Sequence, residues 1–145
     1  MLQLSAKQHD EIAGHGQRDY PYECCGLLLG RLDSNGLKVT CETYGISNAR
    51  EEDAKRTRFL ITPDELLRGE RYAAQKELEV IGFYHSHPDH PAAPSQYDRD
   101  HAWPTLSYVI LAVQNGQAKE LTSWTLRPDR QAFDQEEILK GNSPC

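Results

Sequence analysis

The order of apolar and polar positions divides the chain into short strands and two longer helices. Leu2 to Leu4 reads as a short strand. Ser5 followed by Gln8 has the spacing of a capping box, so residues 6 to about 19 read as a helix, weakened by Gly14 and Gly16 and ended by Tyr20 and Pro21. CGLLLGRL, residues 25 to 32, is an apolar run of strand length, DSNG at 33 to 36 is a turn signal, and LKVTCETYG alternates as the returning strand. The two make a hairpin. Residues 46 to 58, ISNAREEDAKRTR, carry no such pattern and read as a mobile loop. Thr62, Pro63 and Asp64 then open a helix running to about 78, with Leu66, Leu67, Ala73, Ala74 and Leu78 as its apolar face.

EVIGFYH, residues 79 to 85, forms the next strand, and LSYVILAV, residues 106 to 113, is the most apolar strand of all. Between them SQYDRDHA, after Pro94, reads as a short helix. Asn115 and Gly116 turn the chain into KELTSWTL, and a further short strand is expected near Phe133. Strands mixed with helices predict one α/β domain over residues 1–145, a mixed sheet flanked by helices.

Composition narrows the function. The 145 residues are long enough for one core, and their net charge of -6 comes with lysines and arginines scattered along the chain. Nucleic acid is therefore not expected as a partner, since phosphate binding needs a concentrated basic face. No stretch approaches the roughly 18 apolar residues of a membrane span, and the first residues lack the basic-then-apolar pattern of a signal segment. No membrane partner is expected, the cytoplasm is the expected location, and the oligomeric state stays open. The four cysteines, Cys24, Cys25, Cys41 and Cys145, contain no CxxC. Buried reduced thiols are the favoured reading, with a Cys24 or Cys25 bond to Cys41 as the alternative.

The candidate chemistry lies in HSHPDHPAAPSQYDRD, residues 85 to 100. His85 and His87 are two apart at a strand end, so both imidazoles face one side. Asp98, in the first turn of the short helix, can project toward the same point. Two imidazole nitrogens and one carboxylate suit zinc, with a fourth position left for water at a catalytic site. Each piece also has an ordinary reading. Histidine pairs on exposed strands are common, and Ser95-x-x-Asp98 is a capping box that satisfies backbone N–H groups. His90, between prolines, reads as a solvated side chain rather than a ligand. Ser86, between the two histidines, should face the other side of the strand and pack or hydrogen-bond there. Glu23 precedes a strand too apolar to hold an unpaired charge comfortably, although charged residues usually stay exposed.

H-S-H-P, six residues, then S-x-x-D resembles the JAMM metalloproteases, also called the MPN+ or JAB family. PYECCGLLLG, SNAREEDAKRTRFLITPDEL and VIGFYHSHPDHPAAPSQYDRDHAW are similar to further family segments, from about residue 15 to 115. The resemblance implies a cytidine-deaminase-like JAB/MPN fold, with His85, His87 and Asp98 as ligands of Zn2+, Glu23 as general base and Ser95 as the oxyanion-stabilising serine. It further implies a ubiquitin-like or sulfur-carrier protein substrate, cut after its C-terminal Gly-Gly. The segment 46 to 58 is the candidate contact for that flexible tail. A non-catalytic MPN-type interaction module is the alternative. A zinc deaminase would need H-x-E together with P-C-x-x-C, and that combination does not occur.

Overall fold

The computed structural model describes residues 1–48, 61–142 and 145. In chain order it holds β1 (Leu2–Leu4), α1 (Ala6–Asp19), β2 (Cys25–Leu32), β3 (Lys38–Ile46), α2 (Pro63–Gln75), β4 (Glu79–Pro88), α3 (Gln96–Asp100), β5 (Ser107–Gln114), β6 (Gln117–Leu126), β7 (Phe133–Glu136) and β8 (Ile138–Lys140). The strands form one eight-stranded sheet in the order β7-β6-β5-β4-β2-β3-β1-β8. It is mixed, because β4 runs parallel to β5, and β1 parallel to both β3 and β8, while the other pairs are antiparallel.

Strand alternation splits the core between the sheet's two faces. Cys24, Leu28, Tyr84, Val109, Leu111 and Val113 pack with Ile12 of α1 on one side. Cys25, Leu27 and Leu29 pack with Ala73 of α2 on the other. Burying each such leucine contributes about 1.5–3 kcal/mol, so both helices are held mainly by these contacts. Gly16, expected only to weaken α1, is what lets it sit down on the sheet: a Cβ there would lie 2.5 Å from Leu111. Ser5 and Gln8 form the expected capping box, and the Gln8 amide also donates to Thr40 O at 2.9 Å.

Helix α2 ends at Gln75, short of the expected 78. Glu77 adopts a left-handed φ of 58°, and the Leu78 and Glu77 N–H groups donate to Ala73 O and Ala74 O. This closing turn satisfies the last carbonyls and drops Leu78 back onto the core. The buried face also differs from expectation. Gly69 and Ala73 are buried with Leu66 and Tyr72 beside them, whereas Leu67 and Ala74 are exposed. A Cβ at Gly69 would lie 2.2 Å from Leu27, so close approach at that glycine sets the helix rotation. Strand β4 runs three residues past the expected end, and β8, a short edge strand, carried no sequence signal. Of the expected loop at 46 to 58, Ile46 closes β3, while residues 49 to 58 lie outside the described residues.

The cysteine expectation needs correcting. Cys24 and Cys25 are free and fully buried, but Cys41 is bonded to Cys145, which neither alternative foresaw. The pairing joins residues 104 apart in sequence, a separation that local pattern cannot reveal. Burial pushes the Cys24 thiol up to about 12, so it carries no thiolate at neutral pH.

Candidate metal centre

His85, Ser86 and His87 lie within β4, in parallel register with Ile110, Leu111 and Ala112 of β5. Alternation sends the two imidazoles toward the α3 side and Ser86 toward α1, where its Cβ lies 3.6 Å from the position a Gly16 Cβ would take. Downstream, the loop to α3 is tied to β6 by Thr122, whose hydroxyl donates to Ala92 O at 2.6 Å and accepts from Trp124 Nε1 at 2.8 Å. Ser95 caps α3. Its hydroxyl oxygen accepts from the Asp98 N–H at 3.1 Å, while Asp98 Oδ2 accepts from the Ser95 N–H at 2.9 Å. Both readings of the S-x-x-D spacing thus coexist, since the cap itself aims the carboxylate.

The three side chains meet. His85 Nε2 lies 3.2 Å from Asp98 Oδ1, His87 Nε2 lies 3.2 Å from Asp98 Oδ2, and the two Nε2 atoms are 3.1 Å apart. All three ligand atoms fall within 4.8 Å of one another. His87 Nδ1 lies 2.9 Å from Pro91 O, a group that only accepts, so the proton sits on Nδ1 and Nε2 presents a lone pair. His85 is only 1% exposed, and burial lowers its pKa, favouring the neutral, ligating ring. Burial works against ionised Asp98, but where the imidazoles carry protons the His85 charge and the contacts of both rings, joined by the Ser95 N–H, outweigh it and hold the carboxyl well below the usual range; beside neutral rings the Ser95 N–H contact remains. Two imidazole nitrogens and a carboxylate oxygen aimed at one point are a donor set for a borderline divalent cation.

Glu23 stands beside this group. In the antiparallel pairing of β2 with β4, Cys25 faces His85, so two residues further out Glu23 is level with His87. It is 3% exposed, and burial followed by the charge of Asp98 pushes its carboxyl up to about 9. A solvent-facing glutamate is therefore ruled out. Ser86 hydrogen-bonds as expected, its hydroxyl accepting from the Cys24 N–H at 2.8 Å. His90 is exposed and stands apart from the ligand group.

A profile of the family described as prokaryotic homologs of the JAB domain matches residues 5–127. The chain belongs to that family. This JAB domain is 34% identical over 114 residues to a desampylase of Haloferax volcanii, covering 75% of this chain and 78% of that one. It is 26% identical over 127 residues to the CysO-cysteine peptidase of Mycobacterium tuberculosis, covering 87% and 83%. Among solved structures, a protein of Desulfitobacterium hafniense matches with a TM-score of 0.84 and 30% identity over 97% of this chain and 93% of that one. A JAB1/MPN domain protein of Archaeoglobus fulgidus, 17% identical over 97% of this chain and all of that one, shares the fold with a TM-score of 0.57. The JAB/MPN fold expected from the motif is the fold observed.

Three contributors to this JAB domain's site escaped the sequence reading. Pro91 acts through its carbonyl, and a main-chain atom leaves no residue signature. Asp89 takes a left-handed φ of 56° and accepts from the Tyr20 hydroxyl at 2.6 Å and the Asn115 N–H at 3.0 Å, fixing the HSHPDHP bend. Asn48 donates its side-chain amide to Glu23 O at 3.1 Å, although its stretch read as a loop and candidate tail contact.

Proposed function

We propose that this protein is a zinc metallopeptidase that hydrolyses an amide or isopeptide bond after the C-terminal Gly-Gly of a ubiquitin-like or sulfur-carrier protein. One observation carries the reading. A deeply buried glutamate lies level with His87, beside two imidazoles and a carboxylate that already converge on a point. Membership of the JAB family, and relatives named as a peptidase and a desampylase, support the same reading.

His85, His87 and Asp98 would hold Zn2+, which when bound supplies Lewis acidity and acidifies water at neutral pH. Glu23 takes a proton from the attacking water at its carboxylate and returns it to the leaving nitrogen. Its raised pKa suits the second of these tasks, and a divalent charge on the three ligands opposes the causes of that rise. Ser95 uses an oxygen lone pair to cap α3, so its hydroxyl proton remains available to an oxyanion forming on the substrate. The segment at 46 to 58 contacts the diglycine tail, and unchanged turnover after its deletion counts against that contact.

We place the protein in the cytoplasm; among the described residues no helix is long and apolar enough to cross a membrane. The Cys41–Cys145 bond would there face reducing thiols, so intact mass from cell extract, two hydrogens heavier when reduced, reads its state in place.

The deciding experiment incubates zinc-loaded protein with a ubiquitin-like carrier extended beyond Gly-Gly and follows intact mass. Cleavage after the diglycine, abolished by a chelator and restored by zinc, is the expected result. Absence of stoichiometric zinc together with no cleavage favours a non-catalytic interaction module instead.

A further inference from the structure

Glu23 lies where β2 has already left the regular ladder, since the strand begins at Cys25. Extending the observed pairings outward, Cys24 stands opposite Ser86 of β4, and Glu23 stands opposite Asn48 just past β3. In a continuing antiparallel sheet, main-chain groups of those neighbours would hold this stretch. Side chains take over part of that work. On the β4 side the Ser86 N–H still donates to Cys24 O at 3.2 Å, but the Cys24 N–H donates to the Ser86 hydroxyl oxygen at 2.8 Å. On the β3 side the Asn48 amide donates to the carbonyl of Glu23 itself at 3.1 Å. The peptide unit joining Glu23 to Cys24 is thus gripped from both flanks, at its oxygen by Asn48 and at its nitrogen by Ser86.

We infer that Asn48, with Ser86 as the opposite jaw, is a positioning residue that fixes the Glu23 main chain so that its carboxylate addresses the metal centre. The inference rests on the peptidase reading given above. Its physical basis is leverage. A glutamate side chain has three rotatable bonds, so a small rotation of its peptide plane displaces the carboxylate more than the backbone, and misplacement by about 1 Å costs on the order of a hundredfold in rate. Burial alone cannot supply this aim, because apolar packing is non-directional whereas two hydrogen bonds on one peptide unit define its plane. Neither Asn48 nor Ser86 belongs to the ligand group, so the metal should be indifferent to the clamp.

Asn48 is the residue to change, being half-buried, whereas Ser86 is fully buried and its loss strands an interior N–H. In Asn48→Ala, zinc stoichiometry should stay at the wild-type level while kcat at saturating carrier falls about 10- to 100-fold, the scale for partners that orient a reacting group; a change in KM reports the tail contact of the same segment and not the clamp. On a Glu23→Gln background the same change should cost no further kcat, because the clamp affects turnover through Glu23. An activity-independent measurement accompanies this. In metal-free protein at fixed pH, the carboxyl 13C resonance of Glu23, assigned by its absence from Glu23→Gln, should shift in Asn48→Ala while the His85 and His87 ring resonances hold. An unmoved Glu23 resonance, or an equal loss of kcat in both backgrounds, overturns the inference. Should the wild-type protein cleave no carrier, the peptidase reading falls, and the resonance still decides whether Asn48 holds Glu23.

Discussion

Two histidine–aspartate groups sit on opposite faces of the same strand, and only one of them gathers its ligand atoms at one point. Behind β4, His15 of α1 meets the Tyr84 hydroxyl at 2.7 Å through Nδ1 and Asp19 Oδ2 at 3.3 Å through Nε2. Each ring nitrogen has its own partner, donor to acceptor, and burial lowers the His15 pKa so that the neutral ring completes the pattern. In front of β4, His85, His87 and Asp98 turn their ligand atoms toward one another. Residue types are nearly the same in the two groups. What separates them is that complementary partners cancel in the first, while acceptors gather in the second, where a cation would satisfy them together.

The strongest way to break that contrast is to remove a front-face ligand. His87→Ala and Asp98→Ala should each abolish stoichiometric zinc, read by elemental analysis, and all carrier cleavage with it. Retention of metal by both would leave the convergence without consequence. Glu23→Gln comes next, expected to keep zinc and lower kcat by about 10² to 10⁴, the scale for a lost general base. An unchanged rate would remove Glu23 from the chemistry.

The front face should also show itself in the metal-free protein's response to pH. Burial and Asp98 raise the Glu23 carboxyl from 4.5 to about 9, so between those values the folded state binds more protons than the unfolded one. Its contribution to stability is complete below the lower value and is lost as pH rises through the upper one. Urea unfolding of metal-free protein should therefore weaken from about pH 5 to about pH 9, and Glu23→Gln should remove that part of the slope. Identical slopes would place the Glu23 carboxyl in a more hydrated setting. The smallest effect is expected behind the strand. Tyr84→Phe should cost about 1 kcal/mol in stability, one hydrogen bond, with zinc content and kcat unchanged. A loss of metal in that variant would show that the two groups are coupled through β4.

Much of the candidate site could be read before the fold because its converging side chains follow local rules. His85 and His87 share a strand face by alternation, and Ser95 and Asp98 share a helix start by capping, so neither pairing needs a distant partner. Glu23 was harder. Its local sequence allowed an exposed or a buried side chain, and the choice depends on a strand 62 residues away closing over it, as the Cys24–Ser86 separation shows. The face of α2 was misread for a related reason. Leu67 and Ala74 fit the apolar period as well as Leu66 and Gly69 do, and a periodic stripe does not say which of two adjacent stripes the sheet will cover. Asn48 and Asp89 went unnoticed because amides and carboxylates are ordinary in loops, and only their partners give them a task.

By itself, then, the sequence determined the alternation of strands and helices, the caps at Ser5, Thr62 and Ser95, and the candidate group of His85, His87 and Asp98, since each depends on spacings of a few residues. Only the tertiary structure decided that Glu23 is buried level with His87, that Asn48 and Ser86 grip its backbone, and that Cys41 meets Cys145. The reason is range. Dihedral preferences and side-chain periods act over one turn or one pleat, whereas these contacts exist only after sheet pairing has brought remote segments together.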